Sequence, residues 1–299
     1  MTPPHLSWKD RVSLALIRAV GRLSLSTLHT VARFVGQRVG RWRSGSQYRV
    51  VHRNLSLCFP DQSAEWLEKT TEATLVSTAQ TALEFIKVWT SPTQLSLDLI
   101  RDVHGAAVFH DALAAGRGVI AIVPHWGSWE VMNPWINQFT APLIMYKPGK
   151  QPGLDALVAE ARSRLNATVI PTDEGGVRAL FKGLRAGRFT AILPDHIPND
   201  QGGIFAPFFG IRTWTGVMVP KLVQRTGCAV IVMGCQRRPD GNGFDLIFQA
   251  ADPGLNDPDL ATATAAMNRS VEQLIRVDPT QYQWNYKRFK KNETLPNPY

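Results

Sequence analysis

Cysteine is scarce in this 299-residue chain: Cys58, Cys228 and Cys235, an odd number with no C-x-x-C pair. That scarcity argues against a disulfide framework or a thiolate zinc site and predicts three reduced, buried thiols. No stretch reaches 18 uninterrupted apolar residues, so no membrane-spanning helix is expected. Arginines interrupt the apolar stretches near the N-terminus and no small-residue cleavage site follows, so no secretory signal is expected either. H-E-x-x-H and similar spacings are missing, which leaves no metal-ligand set. Helix-turn-helix, zinc-finger and RNP signatures are missing as well, so nucleic acid is not an expected partner.

Acidic residues are nearly absent from one end. From Met1 to Arg53 ten Lys and Arg face a single acid, Asp10, whereas the rest of the chain balances 23 basic against 23 acidic residues. The whole net charge of +9 therefore sits in the first 53 residues. A basic end on a neutral body is drawn to a polyanionic surface. Between Ser13 and Gly40 apolar residues recur at near-helical spacing, broken by Arg18, Arg22, Arg33 and Arg38, with Trp8 and Trp42 at the flanks. This pattern predicts an amphipathic helix lying at a membrane interface, its alternative being an ordinary helix packed on the body.

A second helix is expected from the Pro60-Asp61-Gln62-Ser63 start to about Trp89, ended by Ser91-Pro92. Beyond it the texture changes. Apolar strand-like runs lie at Gly118–Val123, Leu143–Tyr146, Thr168–Ile170, Phe189–Leu193, Ala229–Met233 and Phe244–Phe248. Helical segments are expected at Leu154–Leu165, Gly175–Ala186, Trp214–Arg225 and Leu260–Val277. Solidly apolar strands alternating with helices predict an α/β fold, a central mostly parallel sheet flanked by helices. Pro239-Asp240-Gly241-Asn242-Gly243 predicts an antiparallel hairpin for the last two strands.

The run Gly118–Val123 leads straight into Pro124-His125-Trp126-Gly127-Ser128-Trp129-Glu130. His125 thus falls at the C-terminal end of a strand, where α/β folds place their chemistry. With His125 in a loop and Glu130 in the first turn of a following helix, the two side chains converge; Gly127 permits the bend and Ser128 caps. A hydroxyl is a poor nucleophile until a base takes its proton, and imidazole is a capable base near neutrality. A carboxylate beside it fixes the tautomer, and backbone N–H groups near the helix start are candidate donors to the tetrahedral oxyanion. Taken alone, a His and a Glu five positions apart are weak evidence, and a lone His at a strand end is more often structural.

The segment from His125 to Glu130 resembles the histidine–acid motif of the glycerolipid acyltransferase superfamily. Val51-His-Arg-Asn-Leu-Ser-Leu-Cys-Phe-Pro60, Pro194-Asp195-His196 with Pro207-Phe208-Phe209-Gly210, and Gln281-Tyr-Gln-Trp-Asn-Tyr-Lys-Arg-Phe289 resemble, in order, segments of the late acyltransferases of lipid A biosynthesis. The resemblance runs from about Val51 to Phe289. It implies an acyl carrier protein thioester as donor and a hydroxyl of a lipid A precursor as acceptor, that of an already attached hydroxyacyl chain. It further implies work at the cytoplasmic face of the inner membrane, no metal or cofactor, and His125 and Glu130 as the catalytic pair. The chain then divides into a basic membrane-associating segment, 1–45, and one acyltransferase domain, 46–299. The family often carries an N-terminal spanning stretch; here it is short and broken by Arg18 and Arg22.

Other strand ends supply further candidates. Asp195 follows Phe189–Leu193 and is assigned to orienting the acceptor or His125, against a plain turn role. Lys147, and Arg162, Arg164, Arg178 and Lys182 on bordering helices, are assigned to a phosphate of the acceptor, against solvated surface charge. Lys287, Arg288, Lys290 and Lys291, interleaved with Trp284, Tyr286 and Phe289, suit carrier protein, membrane or nucleic acid, against an exposed tail. His5, His29, His52, His104 and His110 show no ligand spacing. The competing functions are a related acyltransferase for another glycolipid or an amino-acid lipid, a nucleic-acid-binding protein, and a silent membrane scaffold.

Overall fold

The computed structural model describes residues 7–146, 149, 151–296 and 298–299. The first four helices form a layer of their own: α1 (Trp8–Gly21), α2 (Leu25–Arg41), α3 (Ser46–Cys58) and α4 (Ala64–Thr90). The single amphipathic segment expected over 13–40 is two helices. Ser24 caps the second by accepting from the Thr27 N–H, and Lys87 Nζ donates to the Gly21 and Leu23 carbonyls at the end of the first. Gly21 is required there, because a Cβ would lie 1.9 Å from Thr90 Oγ1. α4 begins where expected, with Ser63 accepting from the Trp66 N–H.

Leu28, His29, Ala32, Gly36 and Gly40 of α2 are buried, and a Cβ at Gly36 would stand 2.4 Å from Val76 Cα, so α2 lies tight on α4. The opposite faces are open. Trp8, Val12 and Leu16 on α1, and Val31, Phe34, Val35 and then Trp42 along α2, are exposed, Trp8 by 71% and Trp42 by 67%. Among the described residues no helix is long and apolar enough to cross a membrane.

Then follow α5 (Thr93–Leu99), β1 (Ile100–His104), α6 (Ala106–Ala114), β2 (Val119–Ile122), α7 (Asn133–Ile136), β3 (Leu143–Tyr146) and α8 (Pro152–Ser163). β4 (Thr168–Pro171), α9 (Glu174–Arg185), β5 (Phe189–Ile192), β6 (Gly203–Phe208), β7 (Ile211–Gly216) and α10 (Met218–Thr226) come next. β8 (Ala229–Arg237), β9 (Phe244–Ala250) and α11 (Leu260–Val277) complete the set. The main sheet has the order β1-β9-β8-β2-β5-β3-β4. It is parallel except between β8 and β9, the hairpin expected from the Gly241 and Gly243 turn. The α/β reading with a mostly parallel, helix-flanked sheet therefore holds.

Several elements were not legible. β1 is an edge strand with mostly exposed side chains, and α5 and α6 flank it. The expected helix Trp214–Arg225 starts only at Met218, because its first residues belong to β7. β7 pairs with β6 across Phe209-Gly210, both at positive φ (47° and 78°), which is the geometry of a two-residue hairpin turn.

β2 lies at the centre, between β8 and β5, and its four side chains are fully buried. Ile120 and Ile122 face one core with Leu55, Leu180, Leu222 and Leu274; Val119 and Ala121 face the other with Phe109 and Ile136. Burying each large aliphatic side chain contributes roughly 1.5–3 kcal/mol, so the strand that ends at His125 is anchored from both sides. All three cysteines are free and buried.

Candidate active site

Register explains how the site assembles. β2 and β5 run parallel with Ile122 opposite Ile192. Three residues past each partner stand His125 and Asp195, so the pairing delivers an imidazole and a carboxylate to the same sheet edge. His125 Nδ1 lies 2.8 Å from Asp195 Oδ1, and the His125 backbone N–H donates to Asp195 Oδ2 at 2.9 Å. A carboxylate only accepts, so Nδ1 carries the proton and Nε2 keeps its lone pair. Burial pushes the Asp195 carboxyl up, but electrostatic attraction to the His125 imidazole and the two hydrogen bonds that His125 donates more than offset it and hold it well below the usual carboxylate range. Asp195 is 2% exposed.

Gly127 makes the bend after His125. Its φ is 63°, and a Cβ would sit 1.9 Å from the Cys235 carbonyl oxygen. The N–H groups of Trp126, Gly127 and Ser128 donate to Pro124, Gln281 and Cys235 carbonyls. These three donors are thus occupied. The segment after α11 laces the loop down: Gln283 N–H donates to the His125 carbonyl, and the Trp126 indole, fully buried, donates to the Asp278 carbonyl.

Glu130 does not form the expected pair with His125. It lies in a 3-10 turn, Trp129–Met132, rather than an α-helix, and its carboxylate accepts from Trp89 Nε1 and Asn133 Nδ2, both at 3.1 Å. The turn aims it back toward α4 and α8, where Arg162 Nη2 lies 3.5 Å away. Trp129 touches His125 instead, edge to face at 5.0 Å between ring centroids. Asp195 takes the orienting position that sequence spacing gave to Glu130.

The cations separate in the same way. Arg162 lies over the Tyr146 ring beside Glu130, with Nε and Nη1 buried and unpartnered among the described residues. The gap that Arg162, Arg164 and Glu130 border holds only about 20 Å³, room for one water rather than a sugar phosphate. Arg164 donates to the Trp89 and Ser91 carbonyls and to Glu160, closing the end of α4. Arg178 stands exposed, paired loosely with Glu174. Lys147 lies outside the described residues. The basic run near the C-terminus is no exposed tail: Arg288 is fully buried and donates to the Trp214 carbonyl and Thr215 Oγ1.

Two cavities meet this centre. One of about 450 Å³ is bordered by His125, Thr78, Thr81, Trp129, Gln283 and Asn285, so polar groups and the imidazole share it. The other, about 900 Å³, lies between α9 and α10 beyond β5. Its lining is largely apolar, with Phe181, Ile192, Leu193, Met218 and Leu222, and it includes His196; Arg178 stands at its border. That volume is near the top of the range for small-molecule sites, about 300–1,000 Å³.

The sequence singled out His196 only within a motif. Its ring lies parallel to His125 (1° between planes, 3.8 Å between centroids), and Tyr286 stacks on its other face at 3.8 Å. Nothing in linear spacing brings residues 125, 196 and 286 together.

The model of the family described as bacterial lipid A biosynthesis acyltransferase matches residues 5–291. The chain is 27% identical to the lipid A biosynthesis lauroyltransferase of Escherichia coli (strain K12) over 257 residues, 84% of this chain and 82% of that protein. It is 27% identical to the lipid A biosynthesis palmitoleoyltransferase of the same organism over 263 residues, covering 86% and 84%. A lipid A biosynthesis acyltransferase of Haemophilus influenzae is 25% identical over 305 residues, covering 98% and 94%.

Proposed function

Because the chain belongs to the bacterial lipid A biosynthesis acyltransferase family, we propose that it moves a fatty acyl group from an acyl carrier protein thioester to a hydroxyl of a lipid A precursor. The acceptor hydroxyl is that of an already attached hydroxyacyl chain. The observation that carries the mechanism is the Asp195–His125 hydrogen bond at the wall of a polar cavity. His125 Nε2 takes the acceptor's proton as its oxygen attacks the thioester carbonyl carbon. Asp195 balances the imidazolium charge that results. The tetrahedral intermediate collapses with loss of the C–S bond, and the leaving thiolate takes the proton back from His125. Gln283 and Asn285, in the same cavity, supply side-chain amide donors for the oxyanion.

Glu130 acts at one remove: it holds Trp89, Asn133 and Arg162 behind Trp129, which packs on His125. The apolar cavity between α9 and α10 takes the acyl chain, and Arg178 at its border meets phosphate. Lys147, Arg162 and Arg164 remain assigned to the acceptor side, with Arg162 and Arg164 acting through the walls they brace.

The protein works at the cytoplasmic face of the inner membrane, seated by α1 and α2. Their exposed Trp8, Leu16 and Phe34, with Trp42 just past α2, are interspersed with exposed Arg11, Arg33 and Arg38, the composition of an interfacial surface on anionic lipid. The test of the chemistry is His125. His125→Ala abolishes acylated product by mass spectrometry while circular dichroism shows the fold retained, the melting temperature falling because Asp195 loses its partner; undiminished product overturns the assignment.

A further inference from the structure

We propose that His196 is a positioning residue for the acyl transfer, its ring clamped between His125 and Tyr286 so that the imidazole of His125 is held in the plane from which Nε2 meets the acceptor. This rests on the reading of His125 as the base. The hydrogen bond from Nδ1 to Asp195 fixes one point of the His125 ring. Within the angular tolerance of that bond the ring plane can still tilt, and contacts on the faces and edge limit the tilt. Trp129 meets the ring edge to face. His196 covers one face at van der Waals distance, with the two planes 1° apart.

His196 is itself fastened on three sides. It follows Asp195 in the chain, so the carboxylate and the covering ring come from one rigid loop. Gln283 Oε1 accepts from His196 Nε2 at 3.0 Å. Tyr286 stacks on the far face, and its hydroxyl accepts from the Ile197 N–H at 3.0 Å. Gln283 in turn holds the His125 carbonyl through its own backbone N–H. The clamp therefore joins the β5 loop, the β2 loop and the C-terminal segment at a single ring.

Charge in the stack belongs on one ring. Burial lowers the pKa of His196 to about 4, and the neighbouring His125 pushes the same way; Asp195 and the Gln283 hydrogen bond oppose, and Arg288 adds to the lowering. Asp195, His125, Tyr286 and Arg288 are the titratable neighbours that face it from the loops and the C-terminal segment. His196 thus stays neutral near pH 7, offering a flat π face to a protonated His125 without repelling it. The same ring borders the apolar cavity, so a chain seated there lies against the group that sets the base's orientation.

Three full-length variants test this with acyl carrier thioester and lipid A precursor as substrates. His196→Ala, which removes the ring, lowers kcat about 10- to 100-fold with KM for both substrates within about threefold, the scale of a misplaced reacting group. His196→Phe keeps a flat ring without nitrogen and restores kcat to within about fivefold of wild type. His125→Ala is the control for the underlying reading: if it stays active, the base assignment falls, whatever His196 does. Nitrogen NMR of His125 gives a readout that mere stability would not move. Wild type and His196→Phe hold one sharp set of His125 ring signals, shifted by the stacked ring or by its replacement, and in His196→Ala the His125 signals broaden as the ring gains freedom. Equal loss in the Phe and Ala variants would mean that a nitrogen of His196 and not its flat face carries the effect, and would overturn the proposal. So would an unchanged kcat and an unchanged His125 signal in folded His196→Ala.

Discussion

Replacing Asp195 by Asn separates the geometry described above from the pairing that sequence spacing suggests. The Asp195 carboxylate accepts twice from His125, once from the ring and once from the backbone N–H. An asparagine amide has one oxygen, so it satisfies only one of these. If its oxygen stays on the backbone N–H, its NH2 faces Nδ1 and selects the tautomer with the proton on Nε2, which cannot act as a base. The charge that balances the imidazolium is lost in either arrangement. For unit charges about 4 Å apart at an effective dielectric near 20, that loss is about 4 kcal/mol. With some relaxation of the loop, roughly 3–4 kcal/mol of transition-state stabilisation disappears, a fall in kcat of two to three orders of magnitude. The assay is initial-rate transfer from acyl carrier thioester to a lipid A precursor, product quantified by mass spectrometry, with melting temperature measured in parallel. A folded Asp195→Asn protein within about threefold of wild-type kcat would refute the reasoning. If Glu130→Gln were meanwhile inactive, the orienting role would return to Glu130.

Further outcomes follow from other parts of the molecule. Glu84, buried between Arg237 and His29, is held to about pKa 2: burial raises it, and the charge and hydrogen bonds of Arg237 and His29 outweigh burial. Its folded pKa lies below the ordinary 4.5, so its contribution of roughly 3 kcal/mol is present above pH 4.5 and is lost as pH falls toward 2. Urea unfolding of Glu84→Gln should therefore show a large deficit at pH 7 that shrinks on acidification; a deficit independent of pH would count against it. Gly127→Ala drives a methyl into the Cys235 carbonyl at positive φ, and should cost several kcal/mol in chemical denaturation or leave little soluble protein. Wild-type stability there would show that the loop is free to shift. Met218→Trp, narrowing the apolar cavity, should move donor preference toward shorter chains in a competition assay, whereas an unaltered chain profile places the acyl group elsewhere. Leu16→Glu with Phe34→Glu should reduce sedimentation with anionic vesicles at least several-fold, and unchanged sedimentation would remove α1 and α2 from the membrane surface.

Much of the scaffold was written locally. Apolar runs with β-branched residues became β2, β5, β8 and β9, because a strand buried on both faces needs an uninterrupted apolar stretch. The stretch from Pro60 to Ser63 announced α4, with Ser63 the cap that forms, because capping is a contact three residues long. β1 escaped notice because an edge strand exposes most of its side chains and loses the apolar signal. The helix expected from Trp214 was misplaced because the β6–β7 ribbon pairs across a turn at Phe209-Gly210, and neither strand is as solidly apolar as those of the main sheet.

The amino-acid sequence alone determined that a histidine ends a buried strand, that a glycine two residues later permits a bend, and that a basic amphipathic segment precedes the body. Those are properties of neighbours along the chain, set by dihedral limits and by which side chains tolerate water. Which carboxylate serves that histidine was decided only in three dimensions. Glu130 is five residues from His125 yet turns toward Arg162 and Trp89; Asp195 is 70 residues away yet arrives within 2.8 Å. The cause is the parallel register of β2 and β5, a set of backbone hydrogen bonds between distant segments. The same pairing brought His196 onto the face of His125, and the C-terminal segment set Tyr286 behind it, a stack that no spacing along the chain encodes.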